Sequence, residues 1–321
     1  MMETALKIID PHLHLFDLTH GEYLWLKDDN PPYWQDKKLI QHNFKENHLC
    51  LSGELSLAGF VHIEAGFNNN QPWQELAFHE VNCSSPFSSI AAINLLDSDS
   101  QFTLVLNKLL LQRSFKGIRH ILDSQALSLL TSPQVLNNIK QLNQLSKQRL
   151  SNHKPIIFEV QLPFEDTQAC RALHNVISTY PQLTFAINHT GFPPDFVVES
   201  TLNKNALATN SIMSSTQNHS TWRQNVISFA QYHNVIIKCS GWEMINRHYN
   251  ADWLNKCITF VIENFGINKV MLASNFPLCL FSQTTYQAYW QYLLNLPVIN
   301  ALSEDEKSAI SADNALYYYF D

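Results

Sequence analysis

Eight short runs rich in β-branched and other apolar residues recur along the chain, at 6–10, 57–64, 89–95, 117–122, 155–161, 183–189, 235–240 and 269–274, with helical spacing between them. That alternation predicts parallel βα units. The helical side is explicit in places. Ala169, Cys170, Leu173, Val176 and Ile177, and again Leu254, Cys257, Ile258, Val261, Ile262 and Phe265, fall at the i, i+3, i+4, i+7 spacing of a single apolar stripe. Thr221 with Gln224, and Ser303 with Glu306, pair a hydroxyl with an acceptor that satisfies the first free N–H groups of a helix. The second pair opens a last helix running towards residues 317–319. With 321 residues, 45 % of them hydrophobic, the chain can bury one large core. Eight units favour a closed (β/α)8 TIM barrel over an open doubly wound sheet, because closure leaves no exposed parallel edge. The expectation is a single barrel domain over 1–321.

Two stretches exceed what a minimal barrel requires. Residues 19–47, with many Tyr, Trp, Pro and Lys, follow the first run and are too long for a simple turn, so they are expected to cover the mouth. Residues 199–220, rich in Ser, Thr and Asn, read as a mobile insertion. A net charge of −7 offers no basic face for phosphates or anionic lipid, which argues against nucleic acid and membrane surfaces as partners. The first residues lack a cationic start, and no run approaches the ~20 apolar residues of a membrane span, so the expectation is a cytoplasmic protein. Cys50, Cys83, Cys170, Cys239, Cys257 and Cys279 form no Cys-x-x-Cys pair and read as reduced, buried small hydrophobes. Oligomeric state has no signature in the sequence.

In such a barrel the chemistry sits where the strands end. His12 and His14 close the first run; at i and i+2 they point to the same side of an extended chain and can converge on one point. Two structural histidines donating to backbone carbonyls are the alternative. The other runs end on Glu64, on Asn94, on Arg119 and His120, on Glu159 and Gln161, on His189, on Lys238 and Ser240, and on Asn275. Eight polar ends after apolar starts predict one polar cup. Arg119, Lys238 and Ser240 are its candidate substrate-binding groups, suited to a small anionic or hydroxylated molecule. His12, His14 and His189 could supply three ligands, enough for a catalytic Zn²⁺ with an open position. Both no cofactor and one divalent metal stay open.

The segment Ile9-Asp10-Pro11-His12-Leu13-His14-Leu15-Phe16-Asp17, followed by Tyr23-Leu24-Trp25-Leu26, resembles the opening of the amidohydrolase-2 group that includes sugar-acid lactonases and pyrone-dicarboxylate lactonases. The likeness continues through Val61-His62-Ile63-Glu64-Ala65, Gly117-Ile118-Arg119-His120-Ile121, Asn188-His189-Thr190-Gly191, Lys238-Cys239-Ser240-Gly241 and Ser274-Asn275-Phe276-Pro277 to Asn314-Ala315-Leu316-Tyr317-Tyr318. It implies a barrel whose first-strand histidines, sixth-strand histidine and an eighth-strand acid share the active site. It also implies hydrolysis of a lactone or related ester or amide, with nonoxidative decarboxylation as the other chemistry of the group. Lactonase-like relatives are often metal-independent.

The chain departs from the group at one place: members commonly carry Asp where Asn275 stands, as general base or metal ligand, and Asn cannot take a proton at neutral pH. Cys279 stands where some relatives with Asn carry Asp. On the hydrolase reading the base is then Glu64, Glu159, His189 or a metal-bound hydroxide, and Asn275→Asp is expected to raise activity. A catalytically impaired ligand-binding barrel is the reading from another class.

Overall fold

The structure is a computed structural model and describes residues 5–194 and 210–321. Eight strands pair in chain order, every pair parallel: β1 (Leu6–Leu13), β2 (Leu55–Ile63), β3 (Phe87–Ala92), β4 (Phe115–Arg119), β5 (Ile157–Val160), β6 (Thr184–Ile187), β7 (Val235–Cys239) and β8 (Val270–Leu272). Beyond β8 the chain returns to β1 and closes the barrel at its upper rim. There Asn275 N donates to His12 O (2.8 Å) and His14 N donates to Phe276 O (2.6 Å). All eight sequence runs are strands of this (β/α)8 barrel.

Side chains alternate across each strand, so every strand serves two layers. Ile9, Val61, Ile63, Ile90, Ile157, Ala186, Ile236 and Met271 fill the interior. Ile8, Phe60, Ile118, Phe158, Phe185, Ile237 and Leu272 face outward into the larger layer beneath the helices. Helices Thr167–Thr179 and Ala251–Phe265 lay down the stripes expected of them, and of those residues only Ile262 is half-buried.

The end of the chain closes the lower mouth. The capping box Ser303–Glu306 opens Glu304–Ser308, a wider turn Ala309–Asp313 follows, and Asn314–Tyr319 completes the run. Ser311 Oγ donates to Lys7 O (3.2 Å), Asn314 Nδ2 to Val270 O (2.8 Å) and Ser88 Oγ to Tyr319 O (2.6 Å), all at strand starts. Ala312, Ala315 and Tyr319 thereby join the interior cluster, and the Tyr319 hydroxyl donates to Glu159 Oε1 (2.6 Å). Hydrogen bonds to a charged group are worth about 1.5–3 kcal/mol, so Tyr319→Phe is expected to lower unfolding stability by that amount in urea denaturation. An unchanged midpoint would show that the contact contributes nothing.

Three expectations need correction. Thr221 does not start a helix: it lies inside Asn210–Ala230, so the hydroxyl and Gln224 have no free helix end to cap. Of the segment 199–220, residues 199–209 lie outside the described residues, and 210–220 belong to that same helix. The cysteines are all free, but only Cys170, Cys239, Cys257 and Cys279 are buried; Cys50 is exposed. The segment after β1 runs in 3₁₀ turns between distant loops. Trp25 Nε1 donates to Ala65 O beyond β2 (2.7 Å), while Arg247 Nε beyond β7 reaches back to Asp36 Oδ2 (2.8 Å). Among the described residues no helix is long and apolar enough to cross a membrane.

Candidate functional site

The upper strand ends bring three imidazoles together. His12 lies with its ring centroid 5.2 Å from that of His14 and 4.7 Å from that of His189. His14 Nδ1 donates to the carbonyls of Ile63 (2.9 Å) and Glu64 (3.2 Å), which leaves its Nε2 as the bare nitrogen. His189 Nδ1 meets Ser240 Oγ (3.0 Å). His12 is fully buried, and neither ring nitrogen finds a hydrogen-bond partner. Burial, reinforced by the nearby cations Lys238 and Arg119, holds His12 and His189 well below the ordinary histidine range; burial and then Arg119 do the same for His14. All three are neutral rings at neutral pH, and weak bases.

The cations are committed to partners. Arg119 Nε donates to Glu64 Oε1 (2.7 Å) and its Nη2 to Glu64 O (3.0 Å), while Nη1 reaches Gln161 Oε1 (3.4 Å). Lys238 Nζ donates to Glu159 Oε1 (2.5 Å) and Pro11 O (2.7 Å), and lies 4.7 Å over the Tyr319 ring. Lys238 and Glu159 are both fully buried. Burial pushes the Lys238 ammonium down to about 8, with Glu159 opposing the shift. The expectation of a lysine free to hold substrate thus gives way to a lysine that anchors the backbone ahead of His12.

Two acidic groups at the rim were not among the strand-end candidates. Asp10 accepts from His12 N (3.1 Å), Ser274 N (3.1 Å) and the Tyr286 hydroxyl (3.0 Å), pinning β1 to the end of β8. Glu243, three residues past Ser240, accepts from Asn275 Nδ2 at 2.6 Å. The sequence signal for Glu243 was a carboxylate in the loop just beyond a Ser-Gly strand end. The backbone around these residues is strained: His189 (φ 51°), Thr190 (φ 57°) and Asn275 (φ 57°) occupy the left-handed region. Gly241 (φ +70°) is packed so tightly that a Cβ there would lie 2.3 Å from His189 Nδ1. Only glycine lets the β7 loop close over that ring.

Beside this centre a cavity of about 440 Å³ opens at the ends of β3 and β4. Arg119, Glu64, Asn94 and Gln101 line it together with Ile93 and Val105, so its wall mixes amide and charged groups with apolar ones.

A metal shared by His12, His14 and His189 would need their nitrogens drawn to one point, and they are not. Among the described residues, the trio whose ligand atoms all lie within 4.8 Å of one another is His62, Glu75 and His79. There Leu15 N donates to His62 Nδ1 (3.2 Å), so Nε2 carries the proton towards Glu75 Oε1 (3.0 Å) and His62 has no lone pair left for an ion. Glu75 Oε1 also accepts from Ala65 N (2.7 Å). His62 and Glu75 form a hydrogen-bonded brace next to His14 and Glu64, with the His79 ring packed on that of His62. The His62 trio does not fit a metal; His12, His14 and His189 present bare nitrogens, but these do not all lie within 4.8 Å of one another.

The family model described as Amidohydrolase matches residues 163–320. The uncharacterized protein y4mH of Sinorhizobium fredii is 26 % identical over 332 residues, covering 97 % of this chain and 98 % of its own length. Among solved structures, an amidohydrolase of Burkholderia multivorans with bound HEPES superposes with a TM-score of 0.72 at 14 % identity, covering 97 % of this chain and 98 % of that one. A second crystal form of that protein holds zinc. A probable 2-pyrone-4,6-dicarboxylic acid hydrolase of Acinetobacter baumannii with citric acid bound superposes with a TM-score of 0.64 at 14 % identity, over 97 % and 98 % of the two chains.

Proposed function

We propose that the chain is an amidohydrolase, a reading supported by the family model matching residues 163–320, and that it is a hydrolase opening the ring ester of a small anionic or hydroxylated lactone. The observation that carries this reading is the juxtaposition of the three neutral imidazoles with a cavity whose wall includes Arg119 and side-chain amides. Amides and a guanidinium match hydroxyls and a carboxylate by directed hydrogen bonds. In lactone hydrolysis, negative charge develops on the carbonyl oxygen as water adds, and donors already in place stabilise it without reorganising. His12, with two unpartnered nitrogens, offers one such donor; Arg119 stands in the wall already paired with Glu64, its guanidinium held in place. The likeness to a pyrone dicarboxylate hydrolase and the citrate bound there support an anionic substrate.

The test is hydrolysis of a panel of sugar-acid and dicarboxylate lactones, read by proton release, together with elemental analysis. Turnover of at least one anionic or polyhydroxylated lactone is expected. Because the imidazole nitrogens are not gathered for an ion, activity is expected to survive prolonged dialysis against a chelator. Loss of activity on chelation, with recovery on adding zinc, would show that the cup closes around a metal in solution. No turnover of any lactone would remove the hydrolase reading.

A further inference from the structure

Hydrolysis by this cup needs a group that is unprotonated near neutral pH, basic enough to take a proton from water and with a lone pair to spare, and most of its acids and bases fail one condition. Glu64 gives Oε1 to the Arg119 guanidinium, a direct cation that weakens it as a base. Glu159 shares one oxygen between the Lys238 ammonium and the Tyr319 hydroxyl, deep in the barrel. Asp10 spends its oxygens on two backbone N–H groups and a phenol. His189 is stripped of basicity by burial and by the cations around it. Glu243 differs from all of these. Its Oε1 accepts from a neutral amide, Asn275 Nδ2, and its Oε2, like that of Glu159, is fully buried without a partner, but among the described residues no cation pairs with its carboxylate. A buried carboxylate oxygen left unpaired is costly, and such sites persist where function uses them.

Two contacts of its neighbours tie it to the imidazoles. Asn275, its donor, hydrogen-bonds through its own backbone to the carbonyl of His12, and Gly241, two residues before it, is pressed against the His189 ring.

We propose that Glu243 is the general base of this site and that Asn275 is the residue that positions it, an assignment that rests on the hydrolase reading above. Glu243 Oε2 takes a proton from a water molecule as the water oxygen bonds to the lactone carbonyl carbon, and the carbonyl electron pair moves onto its oxygen. When that oxyanion collapses, the ring C–O bond breaks and Glu243 returns the proton to the departing alkoxide. The product is the open hydroxy acid, and the carboxylate is regenerated. Burial pushes the Glu243 carboxyl up to about 7, opposed by the Asn275 hydrogen bond, so it is both substantially ionised and strongly basic at neutral pH. The other groups facing it do not titrate with it. Burial holds Tyr249, Cys279 and Tyr289 protonated and neutral, and Arg247 is paired with Asp36.

The test compares kcat and KM against pH for wild type, Glu243→Gln and Glu243→Asp on whichever lactone the wild type turns over, with folding checked by thermal unfolding. Glutamine keeps the carbonyl that accepts from Asn275, so the fold is expected to survive. Wild type should lose activity below about pH 7, the limb set by ionisation of Glu243. Glu243→Gln should lower kcat by at least about 100-fold with KM changed only a few-fold, and should abolish that limb; Glu243→Asp should recover part of kcat. A folded Glu243→Gln that keeps its kcat, or keeps the acid limb, overturns the assignment while leaving the hydrolase intact. A wild type inert on every lactone overturns the hydrolase reading, and this assignment with it.

Discussion

Lys238→Met is expected to destabilise the fold by about 3–5 kcal/mol, because it leaves the fully buried Glu159 carboxylate without its cation. The loss should show as a lowered urea midpoint with an unchanged slope. The double variant Lys238→Met/Glu159→Gln should recover more than half of it. Glutamine retains an acceptor for the Tyr319 hydroxyl, and no charge is then left stranded. The pair is therefore a condition for a closed barrel more than a net source of stability. Lys238 also donates to Pro11 O, one residue before His12, so a fall in activity is expected even under conditions where the variant is folded. If Lys238 instead served mainly to hold substrate, as its strand-end position suggests, the single variant would raise KM and shift stability by less than about 0.5 kcal/mol. That pattern would refute the structural role.

The contrast between what the sequence shows and what it conceals runs along this pair. Strands and their polar ends are local signals: a period of two followed by a charged or amide residue places His12, Glu64, Arg119, His189, Lys238 and Asn275 at the rim without reference to any partner. Which of those residues neutralise each other is non-local. Glu159 and Lys238 are 79 residues apart, and Tyr319 reaches Glu159 from 160 residues away by returning beneath the barrel. No periodicity announces such contacts. Glu243 was missed for a different reason: it sits one turn beyond the strand, where polar residues are ordinary, and only its burial and its bond to Asn275 set it apart. The start of Asn210–Ala230 was misplaced because Ser, Thr and Asn are weak helix formers in isolation, and composition misleads where tertiary packing decides.

Asn275→Asp is expected to lower kcat/KM at pH 7 by at least about fivefold, the reverse of what the sequence alone suggests. Read by itself, Asn275 is a carboxylate gone missing, and restoring it is a repair. Read beside Glu243, it is the amide that donates at 2.6 Å to a carboxylate, favouring the charged form. Aspartate has no N–H to give. In its place it presents a second acid at the same short range, and two carboxylates so close cannot both ionise, so they hold one proton between them. The Glu243 carboxyl already stands at about 7 with the amide's help. Losing that donor and gaining a like charge both raise it. Each unit of increase removes about tenfold of the ionised form at a fixed pH below it. The acid limb of kcat/KM should move up by at least one unit, with activity recovering as the pH follows it. Asn275→Ala separates the two causes: it removes the donor without adding charge, so its limb should lie between those of wild type and Asn275→Asp. The measurement is the pH profile of all three proteins on one substrate. An aspartate variant faster than wild type at pH 7, with its limb moved to lower pH, would mean that position 275 is the natural seat of the base after all and that Glu243 only buttresses it.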